Sequence, residues 1–482
     1  MVGAAPVKRA LAAVGRDWRA FGRQMRVVFG QGSTRPGLYA YRFASDGSKV
    51  RLHLRVHTDG SGALFVNVDH VVHLSAGASE IARMMLDGVP RDAVLKLLTG
   101  WYPDAPEYEL SGDVDAVAGI LEALKRPAEG CPTCGLAARR TPLFAQRAQA
   151  PYKVDLAVTY ACNNNCAHCY NEPGRKGAAS LTLPEWKRVL RTLARVGVPH
   201  IIFTGGEPTL LDHLPAMVRY AEGLGQVTGV NTNGRRLADM RFAGALKRAG
   251  LDHVQITLAS HLAGIHNRVV RAAAFDETVL GIRNALQADL HTITNTTLTR
   301  ETAPEILETM QFVRELGVTT LAMNGMICSG GGRQNPDELD EERLGPILAA
   351  AQERAQQLGM RLLWYTPTEY CRLNPLELGL GAKSCNAAEY SICIEPDGAV
   401  LPCQSYYHAV GNILTDEWEA IWNCELFRRI RLRRENPQFG RLPRECWTCP
   451  DLRVCGGGCP LRRAQREAQD QSSLQEVVTH DA

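Results

Sequence analysis

The sequence predicts an α/β protein, preceded by a small α+β domain and followed by a cysteine-rich segment. Three observations predict this arrangement: strand-like runs before residue 125, apolar runs alternating with helical patterns from Val154 to Tyr365, and cysteines concentrated after residue 370. Repeated βα units form a parallel sheet with right-handed crossovers, either open or closed into a barrel. In such folds the chemistry is found at the carboxyl ends of the strands.

The composition narrows the class of protein. At roughly 100–200 residues per domain, a chain of 482 residues holds roughly two to four domains. Its 54 Lys and Arg nearly balance its 51 Asp and Glu, which argues against nucleic acid or a membrane surface as partner. No apolar run approaches the ~18 residues of a transmembrane span. The 15 cysteines are clustered, so we expect metal ligands in a reducing cytoplasm rather than a disulfide scaffold.

Two segments flank the first domain. Residues 1–37 are rich in Arg, as organelle transit peptides also are, but we favour an amphipathic lead-in helix. Residues 126–150 are predicted to be a linker. It contains Cys131 and Cys134, whose CxxC spacing is compatible with redox activity, with metal binding or with inert thiols.

The first domain, residues 38–125, is predicted to have its strands before its helices. Asp59-Gly60 supplies turn chemistry between two strands, and Gly88 is a helix stop signal. The predicted strands are Leu38–Phe43, Val50–His57, Ala63–Val68 and Val71–Leu74, and the predicted helices are Ala76–Leu86, Arg91–Leu98 and Val114–Leu124.

The βα series occupies residues 151–370. Its predicted strands are Asp155–Tyr160, His200–Thr204, Val227–Thr232, His253–Leu258, His291–Thr297 and Thr320–Asn324, separated by helices such as Pro184–Arg195, Leu214–Gly223 and Phe275–Ala288. Residues 371–465 are rich in Cys, Gly and Pro with little periodicity, so we expect metal to order them. Residues 466–482 are predicted to be a polar tail.

Three cysteines with CxxxCxxC spacing follow the first strand of the βα series. Cys162, Cys166 and Cys169 lie in the loop at its carboxyl end. A [4Fe–4S] cluster normally takes four cysteines, so this spacing leaves one iron open for another ligand. A zinc site is the alternative, although zinc more often has a second pair of ligands that closes the tetrahedron.

The next strand ends in the sequence Thr-Gly-Gly-Glu-Pro, residues 204–208. Glycines there permit close approach of the backbone to a ligand, and Glu207 can accept hydrogen bonds from an ammonium group. A plain turn with a solvated acid is the alternative. Together, the CxxxCxxC and GGEP motifs resemble the radical S-adenosylmethionine (SAM) superfamily. The resemblance implies a partial (β/α)6 barrel over about residues 152–330 and a [4Fe–4S] cluster whose open iron chelates SAM.

The resemblance also implies further SAM contacts. Residues 255–268 resemble the fourth-strand segment that usually reads SLDG…HDR, with Thr257 in place of Ser and Ala259 in place of Asp. The implied contacts are His168 near the adenine, Gly205, Gly206 and Glu207 at the methionine amine, and Thr257 and Arg268 at the ribose and carboxylate.

The cysteine-rich segment resembles the SPASM extension of radical SAM enzymes. Its cysteines follow the pattern Cys385-x12-Gly398-x4-Cys403, then Cys446-x2-Cys449-x5-Cys455-x3-Cys459. The resemblance implies a near auxiliary cluster on Cys385, Cys403 and Cys459, and a far one on Cys446, Cys449 and Cys455. Cys393 is either a fourth ligand of the near cluster or a strand cysteine. The family's downstream cysteine has no counterpart after Cys459, so the far cluster has a non-cysteine ligand, an open iron or Cys424. A double zinc ribbon is the alternative.

The first domain resembles the winged-helix peptide-recognition element of peptide-modifying pathways, of which the pyrroloquinoline-quinone chaperone is a relative. The resemblance implies an edge strand that captures the leader of a precursor peptide. A DNA-binding winged helix is disfavoured, because the helix Ala76–Leu86 has Arg83 as its one basic residue. A purely structural domain is the other alternative.

The sequence therefore predicts a radical SAM oxidoreductase, a maturase that oxidatively cross-links a ribosomally synthesised peptide (a RiPP precursor). The resemblance implies that an electron from a donor such as flavodoxin or ferredoxin cleaves SAM to a 5′-deoxyadenosyl radical. The alternatives are a radical SAM enzyme acting on a small molecule, such as a haem or cofactor precursor, and a non-catalytic iron–sulfur electron carrier. A sulfatase-maturating enzyme is disfavoured, because Gln404 stands where those enzymes carry Asp. No catalytic residue is assigned.

Overall fold

The structure is a computed structural model that describes residues 34–125 and 147–468, except residues 46, 47, 69, 176 and 178. These residues fall into two compact units: those before residue 140 together with Ala194–Pro199, and the remainder. Most of the predicted lead-in helix, most of the linker with Cys131 and Cys134, and the end of the polar tail lie outside the described residues.

The first unit is an antiparallel sheet followed by three helices, as predicted. Its elements are β1 (Gly37–Ser45), β2 (Ser48–Val56), β3 (Gly62–Val66), β4 (His70–Leu74), α1 (Ala76–Leu86), α2 (Arg91–Trp101) and α3 (Glu107–Lys125). The strands pair in the order β1-β2-β3-β4, so β1 and β4 are the two edges. Leu52, Leu54 and Leu64 of the central strands are fully buried and pack with Val114 and Leu121 of α3 in one apolar core.

The second unit contains the βα series. Its strands are β5 (Lys153–Thr159), β6 (His200–Gly205), β7 (Val227–Thr232), β8 (His253–Thr257), β9 (His291–Leu298), β10 (Thr320–Gly325), β11 (Arg361–Trp364), β12 (Ser391–Ile394) and β13 (Val400–Leu401). Its helices are α4 (Leu183–Arg195), α5 (Leu214–Gly223), α6 (Met240–Ala249), α7 (Ala263–Val270), α8 (Phe275–Gln287), α9 (Ile306–Glu315), α10 (Glu341–Gln357), α11 (Trp418–Trp422), α12 (Glu425–Arg431) and α13 (Leu452–Cys455), with further helical residues at 460–468.

The nine strands form one sheet in the order β11-β10-β9-β8-β7-β6-β5-β12-β13. The six predicted strands, β5 to β10, are parallel neighbours in chain order, which is the arrangement that successive right-handed βα units produce. β11 and β12 extend the parallel sheet at its two edges, and β13 pairs antiparallel with β12. The cysteine-rich segment therefore begins as an extension of the barrel sheet.

Helices cover the sheet with apolar stripes. On α4, Trp186, Val189, Leu190 and Leu193 are fully buried, at the three- and four-residue spacing that places side chains on one helix face. Because β5 and β6 are parallel neighbours, the loops that follow them leave the sheet at the same end. This places the CxxxCxxC loop beside the GGEP turn. Among the described helices, none is long and apolar enough to cross a membrane.

Candidate active site at the carboxyl ends of the strands

The CxxxCxxC loop after β5 is fixed by backbone hydrogen bonds to distant parts of the barrel. The N–H groups of Asn165 and Ala167 donate to the carbonyls of Val270 and Val269 at the end of α7, at 3.0 and 2.9 Å. The Cys169 carbonyl accepts the N–H of Gly331, in the loop after β10, at 2.7 Å. The three cysteines between these anchors are partly buried, and none of the described cysteines forms a disulfide.

The loop after β7 holds the same cysteine loop from another side. Asn233 Nδ2 donates to Asn163 Oδ1 at 2.7 Å. Arg235 Nη1 donates to the Asn163 carbonyl at 2.6 Å and to Asn164 Oδ1 at 3.0 Å. Three separate βα loops therefore hold the segment that carries the cysteines, although the sequence motif by itself specifies only their spacing.

The glycines of the GGEP turn lie against the cysteine loop. A Cβ on Gly205 would lie 2.1 Å from the Thr159 carbonyl oxygen, and one on Gly206 would lie 2.3 Å from that of Ala161. Gly205 also has φ +130°, which disfavours a side chain. We expected these glycines to allow the backbone to approach a ligand. The close approach that the structure contains is to the chain's own backbone, which brings the two motifs together.

Glu207 is buried and is fixed by donors from two loops. Its Oε1 accepts from the Thr209 N–H at 3.0 Å and from the Thr232 hydroxyl at 2.7 Å, and its Oε2 accepts from the Asn233 N–H at 2.7 Å. Burial raises the pKa of Glu207, and these hydrogen bonds oppose the rise. A carboxylate oxygen has two acceptor sites, so Oε2 can still accept from an ammonium group. Glu207 thus both joins the loops after β6 and β7 and retains the capacity predicted for it.

His168 lies between the second and third cysteines and is partly buried. Its Nδ1 is a buried polar atom with no hydrogen-bond partner among the described residues. Burial lowers the pKa of His168 to about 4, so the ring is neutral near pH 7. An unpartnered ring nitrogen beside three thiols fits a bound cofactor that the ring could contact.

Thr257 and Arg268 occupy different surroundings. Thr257 ends β8 and is paired across the sheet with Asn295 of β9. Arg268, on α7, is largely exposed, and its Nε donates to Glu301 Oε1 at 2.7 Å. In the structure Arg268 therefore has a carboxylate partner other than SAM.

A row of half-buried amides extends the site and was missed by the sequence reasoning. Asn231 pairs with Gln255 across β7 and β8, and Thr257 pairs with Asn295, so these side chains share one face of the sheet. Asn295 Nδ2 donates to Asn324 Oδ1 at 2.9 Å on the neighbouring strand. From the sequence, Asn231 and Thr297 are strand-end candidates, either site contacts or residues of a solvated turn, whereas Gln255, Asn295 and Asn324 were missed. The sequence does contain an indication of this row, since polar residues alternate with buried apolar ones. Successive side chains of a strand point to opposite faces, so the polar residues are predicted to share one face.

Cys385, Cys403 and Cys459, the proposed near-cluster cysteines, lie close together. The pKa of Cys403 is raised to about 12, chiefly by burial and also by the nearby Cys385 and Cys459 thiols. Cys459 is likewise influenced by Cys385. The three thiols come from separate parts of the cysteine-rich segment, so tertiary packing and not local spacing brings them together.

The two candidate fourth ligands have other surroundings. Cys393, on β12, is fully buried and packs with Ala157, Tyr160 and Leu401, which favours a strand cysteine in a small apolar cluster. Cys424 immediately precedes α12 and interacts electrostatically with Arg431 on that helix. In the described part of the chain, no three Cys, His, Asp or Glu converge as a single metal ion requires. A cubane cluster binds each thiolate through a different iron, so separated thiols in threes fit it better than they fit zinc.

The SAM-side loops and the cysteine-rich segment are in direct contact. The Tyr407 hydroxyl donates to Asn171 Oδ1 at 3.1 Å, and Asn171 Nδ2 donates to the Gly205 carbonyl at 3.0 Å. The guanidinium of Arg175 lies 4.0 Å from the centre of the Tyr407 ring and forms an ion pair with Glu395. The GGEP turn is thereby joined to residues that follow Cys393 and Cys403.

Comparison with known families agrees with this geometry. Residues 156–313, which span the cysteine loop, the GGEP turn and β5 to β9, match the family described as the Radical SAM superfamily. These residues therefore form a radical SAM domain. Residues 385–450 match the SPASM family, described as an iron-sulfur cluster-binding domain. The cofactors of this radical SAM chain are thus a [4Fe–4S] cluster with SAM, and further iron–sulfur clusters in the SPASM domain.

Relatives of the radical SAM chain act on different substrates. It is 29% identical to the PqqA peptide cyclase of Rhodopseudomonas palustris, over 64% of this chain and 82% of the relative. It is 26% identical to the AdoMet-dependent heme synthase of Methanosarcina barkeri, over 64% of this chain and 91% of the relative. Streptococcus suis SuiB, solved bound to its precursor peptide SuiA, has the same fold with a TM-score of 0.62 at 15% identity, covering 88% of this chain and 96% of SuiB.

Proposed function

We propose that the protein is a radical SAM maturase that oxidatively cross-links a ribosomally synthesised peptide. The observation that carries the proposal is the antiparallel unit β1–α3, whose edge strand β4 is suited to binding an extended peptide. The relatives named above include a peptide cyclase and a protein bound to a precursor peptide. Both support a peptide as the substrate of a chain that combines this unit with the radical SAM and SPASM domains.

The orientation of β4 follows from the sheet register. The N–H of His57 donates to the Ser61 carbonyl and that of Asn67 to the Arg51 carbonyl, so odd-numbered residues of β3 bond to β2. Pairing alternates in an antiparallel ladder, so even-numbered residues of β3 bond to β4. The backbone N–H and C=O of Val72, which is paired with Leu64, therefore point toward β3. The N–H groups of Val71 and His73 point away from the sheet, where an added strand would accept them.

In the proposed SAM site, Cys162, Cys166 and Cys169 each bind one iron of a [4Fe–4S] cluster. Bound SAM and the reduced cluster supply a 5′-deoxyadenosyl radical that abstracts hydrogen from the substrate. Gly205, Gly206 and Glu207 bind the methionine amine. His168 packs on the adenine as a neutral aromatic ring.

Two further contacts complete the proposed SAM site. Thr257 binds the ribose. Arg268 binds the carboxylate by exchanging its partner Glu301, because the two groups compete for the same guanidinium. The half-buried amides Asn231, Gln255 and Asn295 share a sheet face with Thr257, and they orient the substrate beside SAM.

In the SPASM domain, Cys385, Cys403 and Cys459 bind the near auxiliary cluster and Cys446, Cys449 and Cys455 bind the far one. The segment that would hold the near cluster is joined to the GGEP turn through Tyr407 and Asn171, so a cluster there would be suited to accepting the electron that substrate oxidation releases. A flavodoxin or ferredoxin is the proposed reductant, and a reducing cytoplasm is the proposed location, since thiolate-bound clusters need reduced cysteines.

Co-expression with short peptides encoded beside the gene tests the proposal. Each cross-link removes two hydrogens, so mass spectrometry should find a peptide lighter by two hydrogens per bond. The variant Cys162→Ala serves as control and should leave the peptide mass unchanged. If intact enzyme cleaves SAM but alters no neighbouring peptide, the peptide substrate is wrong.

A small-molecule substrate is the second candidate, because the heme synthase of M. barkeri is matched over the same share of this chain as the peptide cyclase. Incubation with a haem precursor, SAM and a reductant separates the two. Product formation that does not depend on the β1–α3 unit would favour the small molecule.

A further inference from the structure

A fourth cysteine is carried by a turn that packs against Cys455, one of the three far-cluster cysteines. Cys446, Cys449 and Cys455 have their backbones fixed by local turns, in which the Cys449 N–H donates to the Cys446 carbonyl at 3.3 Å and the Cys455 N–H to the Asp451 carbonyl at 2.8 Å. The fourth thiol, Cys371, comes from the segment between β11 and β12. The sequence motif does not include it.

Cys371 sits in a tight turn. The Glu369 carbonyl accepts the N–H groups of Arg372 and Leu373 at 2.8 and 2.9 Å. The Thr368 hydroxyl donates to the Leu373 carbonyl at 2.8 Å and closes the turn. The Cys371 side chain is exposed, so packing in the core does not account for a cysteine at this position.

The turn that carries Cys371 is packed on the segment from Cys455 to Cys459. Cys455 Sγ lies 3.8 Å from the Thr368 carbonyl oxygen. A Cβ on Gly458 would lie 2.7 Å from Glu369 Cγ, and Gly458 has φ +66°, so any side chain there would displace the turn. Contacts at Thr368 and Glu369 therefore hold the turn that carries Cys371 against the segment of Cys455.

The thiols of this group influence one another. Cys371 is close enough to Cys455 for the two groups to interact electrostatically. Cys446 in turn interacts with Cys455, Cys449 and Cys371. Cys424, which the sequence had offered as a fourth ligand, is not among these neighbours.

We propose that Cys371 is the fourth ligand of the far auxiliary cluster, together with Cys446, Cys449 and Cys455. Four thiolates complete the ligand set of a [4Fe–4S] cluster, and each thiol loses its proton on binding iron. Cys371 thus takes the place of the downstream cysteine of the family pattern, which has no counterpart after Cys459. The inference rests on the proposed auxiliary clusters and is independent of the peptide substrate.

Iron content and spin state of variants test the assignment without any assay of activity. The parent is the full chain with Cys162, Cys166 and Cys169 replaced by Ala, which should hold about eight irons in two clusters after anaerobic reconstitution. Adding Cys371→Ala should remove at least one iron per chain and give either a three-iron electron paramagnetic resonance signal or complete loss of the far cluster. Cys424→Ala is the matched control and should keep the iron and spectra of the parent.

Two kinds of result would contradict the proposal that Cys371 is a ligand. Unchanged iron and spectra in Cys371→Ala, or iron loss in Cys424→Ala instead, would overturn the assignment. If the parent holds only about four irons, it has no far cluster, and the proposal is wrong.

Alkylation of the wild-type holoprotein tests the assignment without any substitution. In reconstituted protein Cys371 should resist iodoacetamide, and after chelation of iron it should react, with Cys424 reacting equally in both states. Mass spectrometry of the peptides measures both residues in one digest. A Cys371 thiol that reacts equally before and after chelation would contradict ligation.

Discussion

At the scale of single residues, Glu207 is the side chain on which two loops depend. Glu207→Gln should lower SAM affinity by at least about five-fold, because the new amide NH2 would face either the Asn233 N–H or the Thr209 and Thr232 donors. A buried unsatisfied donor costs about 1–3 kcal/mol. Equilibrium binding of SAM to reconstituted protein measures the effect.

The control for this change is Glu185→Gln in the preceding βα unit. Glu185 accepts from the Thr182 N–H at 2.8 Å as an exposed capping residue of α4, away from the SAM contacts. The control should bind SAM as the wild type does. Equal affinities for all three proteins would show that Glu207 has no part in the site.

His168 gives a second prediction at this scale. If the ring acts as a neutral aromatic surface, His168→Phe should keep SAM affinity within about three-fold, whereas His168→Ala should lose up to about ten-fold, since aromatic contacts contribute about 0.5–1.5 kcal/mol. Titration with SAM compares the two variants. A loss as large in Phe as in Ala would mean that the ring nitrogens, and not the ring face, are required.

At the scale of elements, strand β4 makes the peptide-binding hypothesis specific. Val71→Pro removes an outward N–H from an edge strand without breaking the ladder to β3, a position where proline is tolerated. One lost main-chain hydrogen bond should weaken precursor binding by roughly three- to ten-fold. Fluorescence titration of a labelled precursor measures this.

Two further variants serve as controls for Val71→Pro. Val71→Ala keeps the backbone donor and should bind nearly as the wild type does. Val72→Pro removes an inward donor and should destabilise the unit itself, which circular dichroism would detect. Wild-type affinity in a folded Val71→Pro protein would place the peptide elsewhere, for example on β1.

Comparison of the predicted and observed strands shows which parts of the fold could be predicted from the sequence. The six parallel strands and the four of the first domain were predicted within a few residues, because apolar runs and turn residues are local signals. Strands β11 and β13 were missed, since they have four and two residues and no periodicity of their own. The amides beside Thr257 and the thiol of Cys371 were missed because only tertiary packing brings them to their neighbours.

At the scale of the whole molecule, the domains predict an iron content. Three [4Fe–4S] clusters give about twelve irons per chain, and fewer than about eight would contradict the assignment. The triple variant of Cys162, Cys166 and Cys169 to Ala should form no 5′-deoxyadenosine and should stay coloured, because the auxiliary clusters remain. Detectable 5′-deoxyadenosine from that variant would place SAM on a different cluster.

The central claim joins two units of the chain: one that captures a peptide and one that cleaves SAM. Removing residues 1–125 separates them, because every proposed cluster ligand and SAM contact lies after residue 150. Titration of the intact and truncated proteins with the candidate precursor, alongside 5′-deoxyadenosine formation without peptide, is the most direct measurement. The account predicts unchanged peptide-independent SAM cleavage and a precursor affinity that falls from roughly micromolar, about −8 kcal/mol, to below detection. Equal precursor affinities for the two proteins would contradict it and would favour the small-molecule substrate.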